Sequence, residues 1–175
     1  MIKKIRFELV PNSYGEMAHL EFFKKDKKLE VNTSKKTLTL ANGKIVSFNV
    51  QAISEYNSDY TAIRIFNSAG APSHSYDCWC TSGTPANPWV EITFDTPIPK
   101  NFANKLTFCC GQGHGSYPAT FTLFFIDENG QREQIGEPLY VNAHNGIFEW
   151  TSAIPCLLGK NGLYYFLRPK TNLNK

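Results

Sequence analysis

The chain has 175 residues, of which 42% are hydrophobic and 19% charged, and its formal net charge is +3. This length suits one globular domain with a single core, and the composition excludes an extensively disordered protein. The lysines at 24–28 and 35–36 lie beside turn-like polar residues, which indicates solvated hairpin ends rather than a nucleic-acid groove.

Membrane and secretory signals are not found. No apolar stretch approaches the ~20 residues of a membrane span, and the first residues, MIKKIRFELVPN, carry charges inside their apolar run. We therefore expect neither membrane insertion nor a signal peptide. The five cysteines are an odd number, and two are adjacent, which favours reduced thiols over a secreted disulfide framework. A disulfide from Cys80 to Cys109 or Cys110 stays open for an oxidising compartment.

Period-two alternation begins at the first residues. Ile5, Phe7 and Leu9 would face one side of a strand, and Lys4, Arg6 and Glu8 the other. The same alternation returns at 18–22, 46–50, 63–65, 90–94, 106–110, 121–125 and 163–167. No window carries a competing helical stripe, so we expect little helix.

Turn residues agree with this strand pattern. Asn42-Gly43 and Asn129-Gly130 each separate two apolar runs, as in tight hairpins. About eight to eleven short strands without a central helix predict two packed sheets or a barrel. We expect one domain over residues 1–170 and a flexible tail at 171–175.

Two loops, 67–88 and 111–118, are long for hairpin connections, and such loops on a β scaffold often carry function. Sugar binding needs a flat apolar platform beside planar polar groups, and both loops supply such side chains. The candidate ligand-binding residues are His74, Tyr76, Asp77, Trp79, Gln112, His114 and Tyr117. Trp79 could equally anchor its loop, and the glycines around His114 could equally form a hairpin tip. Trp89 is out of phase with Val90, which favours a packing role on a sheet.

The order of these features resembles the discoidin, or coagulation-factor C-type, family of the galactose-binding jelly-roll group. The resemblance lies in IRFELVPNSYGEMAHLEFF, YDCWCTSG, NPWVEITFDTPIP and YPATFTLFFIDENGQREQIG. It implies an all-β jelly-roll sandwich that binds ligand through its loops. Phe66-Asn67 stands where the family usually has Phe-Asp-Gly, so the Asp through which a calcium site would be inherited is missing. No cofactor is expected, and calcium binding stays open. The opening strands also resemble domains of bacteriophage structural and tail proteins, which implies a virion location, with the cytoplasm as the alternative.

Catalytic and metal motifs are absent from the sequence. There is no nucleophile elbow, zinc-protease helix or phosphate loop, and adjacent cysteines in a strand would point to opposite faces rather than to one zinc ion. The predicted function is therefore a non-catalytic carbohydrate-binding or adhesin domain, whose partner is a glycan or cell-surface polysaccharide and whose weak sites gain from a homo-oligomer.

The alternative function is a structural interaction module, such as a virion decoration or collar protein, that contacts other assembly proteins. Its expected signature is an exposed apolar patch built from Phe23, Phe124 and residues 162–169.

Overall fold

A computed structural model describes residues 1–67, 78–110, 119–141 and 146–150. Within these ranges the chain forms twelve strands and two short 3₁₀ helices. The strands of the first half are β1 (Ile2–Leu9), β2 (Glu16–Lys24), β3 (Lys27–Lys28), β4 (Glu30–Asn32), β5 (Thr37–Thr39) and β6 (Ile45–Ala52). Those of the second half are β7 (Trp79–Cys80), β8 (Trp89–Ile98), β9 (Lys105–Cys109), β10 (Ala119–Ile126), β11 (Arg132–Val141) and β12 (Gly146–Glu149). The 3₁₀ helices are Ala62–Phe66 and Lys100–Phe102.

The strands form two antiparallel sheets. The seven-stranded sheet has the order β11-β10-β1-β8-β6-β5-β4. In the five-stranded sheet the order is β12-β9-β2-β3, and β7 also pairs with β2. The predicted all-β sandwich is confirmed. Among the described residues, no helix is long and apolar enough to span a bilayer.

The core lies between the two sheets and follows from the period-two pattern. In β1, Ile5, Phe7 and Leu9 are buried, as the alternation predicts. Aromatic rings join the sheets: the Phe108 ring of β9 lies 5.7 Å from that of Phe7 and 4.9 Å from that of Phe121 in β10. Offset and edge-to-face rings of this kind add to the stabilisation from apolar burial.

Both predicted hairpins are present. Gly43 connects β5 to β6 with φ of 82°, and Gly130 connects β10 to β11 with φ of 78°. Only glycine adopts this left-handed backbone region without strain. At the second turn the Asp127 carboxylate also accepts hydrogen bonds from the backbone N–H groups of Asn129 and Gln131, both at 2.9 Å.

The strand predicted at 63–65 is wrong, because Ala62–Phe66 forms a 3₁₀ helix. Its buried residues are Ala62, Ile65 and Phe66, a spacing of three and four that a single helical turn places on one side. The Glu55 carboxylate accepts a hydrogen bond from the Ala62 N–H at 2.7 Å and satisfies an amide at the start of the helix. Two isoleucines at i and i+2 are too few to define a strand. The strand predicted at 163–167 and the tail at 171–175 lie outside the described residues.

Candidate functional site

The predicted loop site falls mostly outside the described residues. His74, Tyr76, Asp77, Gln112, His114 and Tyr117 all lie there, so this loop cluster stays a prediction. Trp79 is described: its side chain is 0% exposed, and its indole N–H donates to the Ser54 carbonyl at 3.0 Å. A ring buried in this way presents no face to a ligand. In the structure Trp79 anchors the end of the first loop to the core.

A different candidate site lies on the outer face of the seven-stranded sheet, over β8, β1, β10 and β11. Since alternate residues of a strand share a face, the buried residues of β1 leave Lys4, Arg6 and Glu8 on the outside. In register, Arg6 lies between Glu91 of β8 and Phe124 of β10. Glu8 likewise lies between Trp89 and Thr122. The pairing thus places charged, hydroxyl and aromatic side chains side by side across β8, β1 and β10.

Ion pairs hold the charged side chains of this face. Glu91 is 2% exposed and accepts from the Lys4 ammonium at 2.9 Å and from the Arg6 Nε–H at 2.7 Å. Glu8 forms an ion pair with Arg132, whose Nη2 lies 2.8 Å from Oε1 of Glu8, and the same oxygen lies 3.7 Å from Nη1 of Arg6. Such connected pairs restrict rotamers more than isolated surface pairs do.

Two arginines also lie over aromatic rings. The Arg6 guanidinium carbon is 4.4 Å from the ring centroid of Trp89, and that of Arg132 is 4.0 Å from the ring centroid of Phe124. Both distances suit a cation–π interaction. Each arginine therefore contacts both a carboxylate and the half-buried ring of Trp89 or Phe124.

Some of these side chains line a surface groove of about 550 Å³. Its lining includes Glu8, Trp89, Thr122, Phe124, Arg132 and Gln134. The volume lies in the range of small-ligand sites, and the lining combines apolar faces with a few polar groups. The alternation in the sequence predicts Trp89 on a sheet surface, but it does not predict the groove. The available signal was the row of Arg, Glu, Trp, Thr and Phe at the outward positions of β1, β8 and β10.

A buried acid lies in the interior, where β2 pairs with β7. Glu16 is 4% exposed, and its Oε2 has no hydrogen-bond partner within the described ranges. Burial raises the pKa of the Glu16 carboxyl from 4.5 to about 7, and a hydrogen bond from the Cys80 thiol lowers it slightly. The pKa of that thiol is raised to about 12 by burial and by the neighbouring Glu16 charge. A thiol with such a high pKa is a poor nucleophile at neutral pH.

A second cavity, of about 730 Å³, lies beside the edge strand β11. The rings of Phe125 and Trp150 line it, and the Lys100 to Glu133 ion pair lies at its rim. The predicted apolar patch of the alternative function is divided: Phe23 faces outward from the five-stranded sheet and Phe124 from the seven-stranded sheet. Residues 162–169, also assigned to that patch, lie outside the described residues.

Metal binding finds no support within the ranges 1–67, 78–110, 119–141 and 146–150. No group of three or more His, Cys, Asp or Glu side chains there is arranged to hold a metal ion. Neither zinc nor calcium can be assigned to a described cluster.

The fold and groove together define a class: an antiparallel β-sandwich with a preformed aromatic and ion-paired groove on one outer face. Comparison of the chain with protein-family models, with curated proteins and with solved structures gives no match. Functional inference therefore rests on the groove itself.

Proposed function

We propose that this protein is a non-catalytic carbohydrate-binding module and that its described site is the outer-face groove. The observation that carries the proposal is the pair of half-buried rings, Trp89 and Phe124, beside Glu8, Thr122 and Gln134 in one groove. Aromatic faces pack against sugar C–H groups, and the polar side chains fix the directions of the hydroxyl groups.

Binding without catalysis is favoured by the charges of the groove. A paired-carboxylate glycosidase needs two carboxyl groups that flank the scissile bond. Among the described residues that line the groove, Glu8 is the one carboxylate, and it is ion-paired with Arg132 at 2.8 Å. A carboxylate held in this way is poorly placed to donate or accept a proton in a reaction.

The biological setting that we propose comes from the resemblance alone. It is a bacteriophage virion, with a galactose-binding jelly-roll domain that recognises host glycan. The predicted loop residues, including His74 and His114, would form a second contact region in that setting. Several copies in one particle would strengthen weak individual sites through avidity.

The test is glycan-array binding by Phe124→Ala and Trp89→Ala variants of the full chain, presented multivalently. Removing either ring removes a stacking surface, so we expect binding to fall at least tenfold. The matched control is Phe23→Ala, because Phe23 is also half-buried and outward-facing, with the Lys105 ammonium 5.0 Å from its ring centroid. This control should bind as the wild type does.

Other results would separate the alternatives. Binding that survives Phe124→Ala and Trp89→Ala but is lost in a His74→Ala, His114→Ala variant would move the site to the loops. A wild-type protein that binds no glycan on the array would overturn the proposal and favour the structural interaction module.

A further inference from the structure

We infer that the groove selects an uncharged oligosaccharide, and that the Glu8–Arg132 ion pair binds adjacent hydroxyl groups on one sugar ring. This inference rests on the proposed function and adds the ligand class to it.

The charge balance disfavours an acidic sugar. Among the described residues that line the groove, Arg132 is the one cation and Glu8 the one carboxylate, and the two are paired. An incoming carboxylate or sulfate that binds Arg132 would lie close to the Glu8 charge, and like charges at short range repel. A hydroxyl group carries no such penalty.

The ion pair itself suits two adjacent hydroxyl groups. A carboxylate accepts hydrogen bonds through both oxygens, and a guanidinium has five N–H donors, so the Arg132 Nη2 to Glu8 Oε1 contact of 2.8 Å leaves capacity on both side chains. One hydroxyl can donate to Glu8 while its neighbour accepts from Arg132. The guanidinium carbon of Arg132 also lies 4.0 Å from the ring centroid of Phe124. The Glu8–Arg132 ion pair is therefore adjacent to the aromatic ring that would stack on the sugar.

The spacing of the rings favours a ligand longer than one sugar. Trp89 lies opposite Glu8 in the register, whereas Phe124 lies opposite Arg6, two residues away along β1 and on its other side. Two strand spacings across and two residues along the strand separate their Cα atoms by roughly 12 Å. Because outward side chains stand roughly perpendicular to a sheet, we take the two rings to have a comparable spacing. A single pyranose ring is shorter than this distance. A ligand that contacts both rings is therefore an oligosaccharide lying obliquely across the strands.

The experiment compares neutral and acidic probes on the wild-type full chain. Immobilised glucan, mannan and galactan oligosaccharides are the neutral probes, and polygalacturonate and heparan sulfate the acidic ones, each at low and high salt. Neutral probes that bind are then titrated as a size series from one to six sugars. We expect binding to a neutral probe that changes little with salt and rises at least tenfold from the monosaccharide to the longer members.

The Glu8→Gln variant tests whether the Glu8–Arg132 ion pair binds the hydroxyl groups. Loss of a charged acceptor should weaken neutral binding about tenfold. The released Arg132 should raise retention of polygalacturonate in low salt. The control is Glu21→Gln, which removes the ion-pair partner of Lys28 on the opposite sheet. This control should change neither the binding of neutral probes nor the retention of polygalacturonate.

The outcomes separate this inference from the proposed function. If the wild type binds only acidic probes, or binds a monosaccharide as tightly as a hexasaccharide, the inference fails and the carbohydrate-binding function stands. If Glu8→Gln binds the neutral oligosaccharides as the wild type does, the proposed role of the Glu8–Arg132 ion pair is also overturned. If no probe binds, both this inference and the proposed function fail.

Discussion

Two buried carboxylates in this protein have opposite surroundings. Glu91 accepts hydrogen bonds from the Lys4 ammonium and the Arg6 guanidinium. Glu16 faces the Cys80 thiol, with Sγ to Oε1 at 3.9 Å, and burial dominates its titration. The first carboxylate organises the outer face, whereas the second makes the core sensitive to pH.

Stability should fall as the pH rises from about 4.5 to about 7, because Glu16 has a raised pKa in the folded state. Above pH 4.5 the unfolded chain loses this proton, while the folded protein retains it until its own pKa of about 7. The full difference corresponds to about 3 kcal/mol of unfolding free energy. Glu16→Gln cannot ionise, so this part of the decline should be absent and the variant should be the more stable protein at pH 8.

Urea unfolding of both proteins at pH 4.5, 6 and 8 measures the effect as a difference between their pH profiles. Glu30→Gln is the control, because Glu30 is exposed and should leave the wild-type profile intact. Parallel profiles for the wild type and Glu16→Gln would show that the Glu16 carboxyl does not govern this decline.

At the scale of single elements, β12 depends on a glycine facing an aromatic ring. Gly146 pairs with Phe108 of β9, and an added Cβ would lie 2.5 Å from Cε1 of Phe108. The ring cannot move away easily, since Phe7, Phe121 and Phe148 pack around it. Packed cores resist added volume.

Gly146→Ala should therefore destabilise the protein by about 1–3 kcal/mol. In a Phe108→Leu background the same change should lower the free energy of unfolding by clearly less, because the ring that causes the overlap has been removed. Denaturant unfolding of the four proteins in this cycle gives the coupling energy. Gly43→Ala provides the comparison: Gly43 has no atom within 4 Å of its added Cβ but has φ of 82°, so its cost should not depend on residue 108.

Sequence patterns predicted some elements well because their causes are local. Alternation in β1 and the Asn-Gly turns depend on residues that are close in sequence. The polar residues at 24–28 likewise indicated a hairpin end, and the β2–β3 turn lies there, although Lys25 and Asp26 adopt positive φ values of 48° and 62° without a glycine. The groove was missed because its side chains meet only where β1 lies between β8 and β10. Alternation indicates which face a residue occupies, but it does not indicate which strands are neighbours.

At the scale of the whole molecule, the central position of β1 should determine which backbone amides are best protected against hydrogen exchange. This strand is hydrogen-bonded on both sides and contributes the fully buried Ile5 and Phe7 to the core. Strands β3 and β4 are short and lie at the edges of their sheets. Stability against local opening is highest in central, buried strands.

Hydrogen exchange of the native protein should accordingly be slowest in β1 and its partners β8 and β10, and much faster in β3 and β4. Mass spectrometry of peptic fragments measures this order directly. Exchange in β1 as fast as in β4 would contradict the central place of β1 in the cooperative unit.

The central place of β1 also determines when the groove can form during synthesis. Of the described strands the ribosome makes β1 first, yet its residues pair with Ile98 of β8 and with Ile126 of β10, which emerge much later. Such distant pairing slows folding, and the unpaired strand stays exposed to other chains in the meantime. The groove has no complete wall until β11 leaves the ribosome. A nascent chain that is released early can therefore aggregate through β1 before the groove is complete.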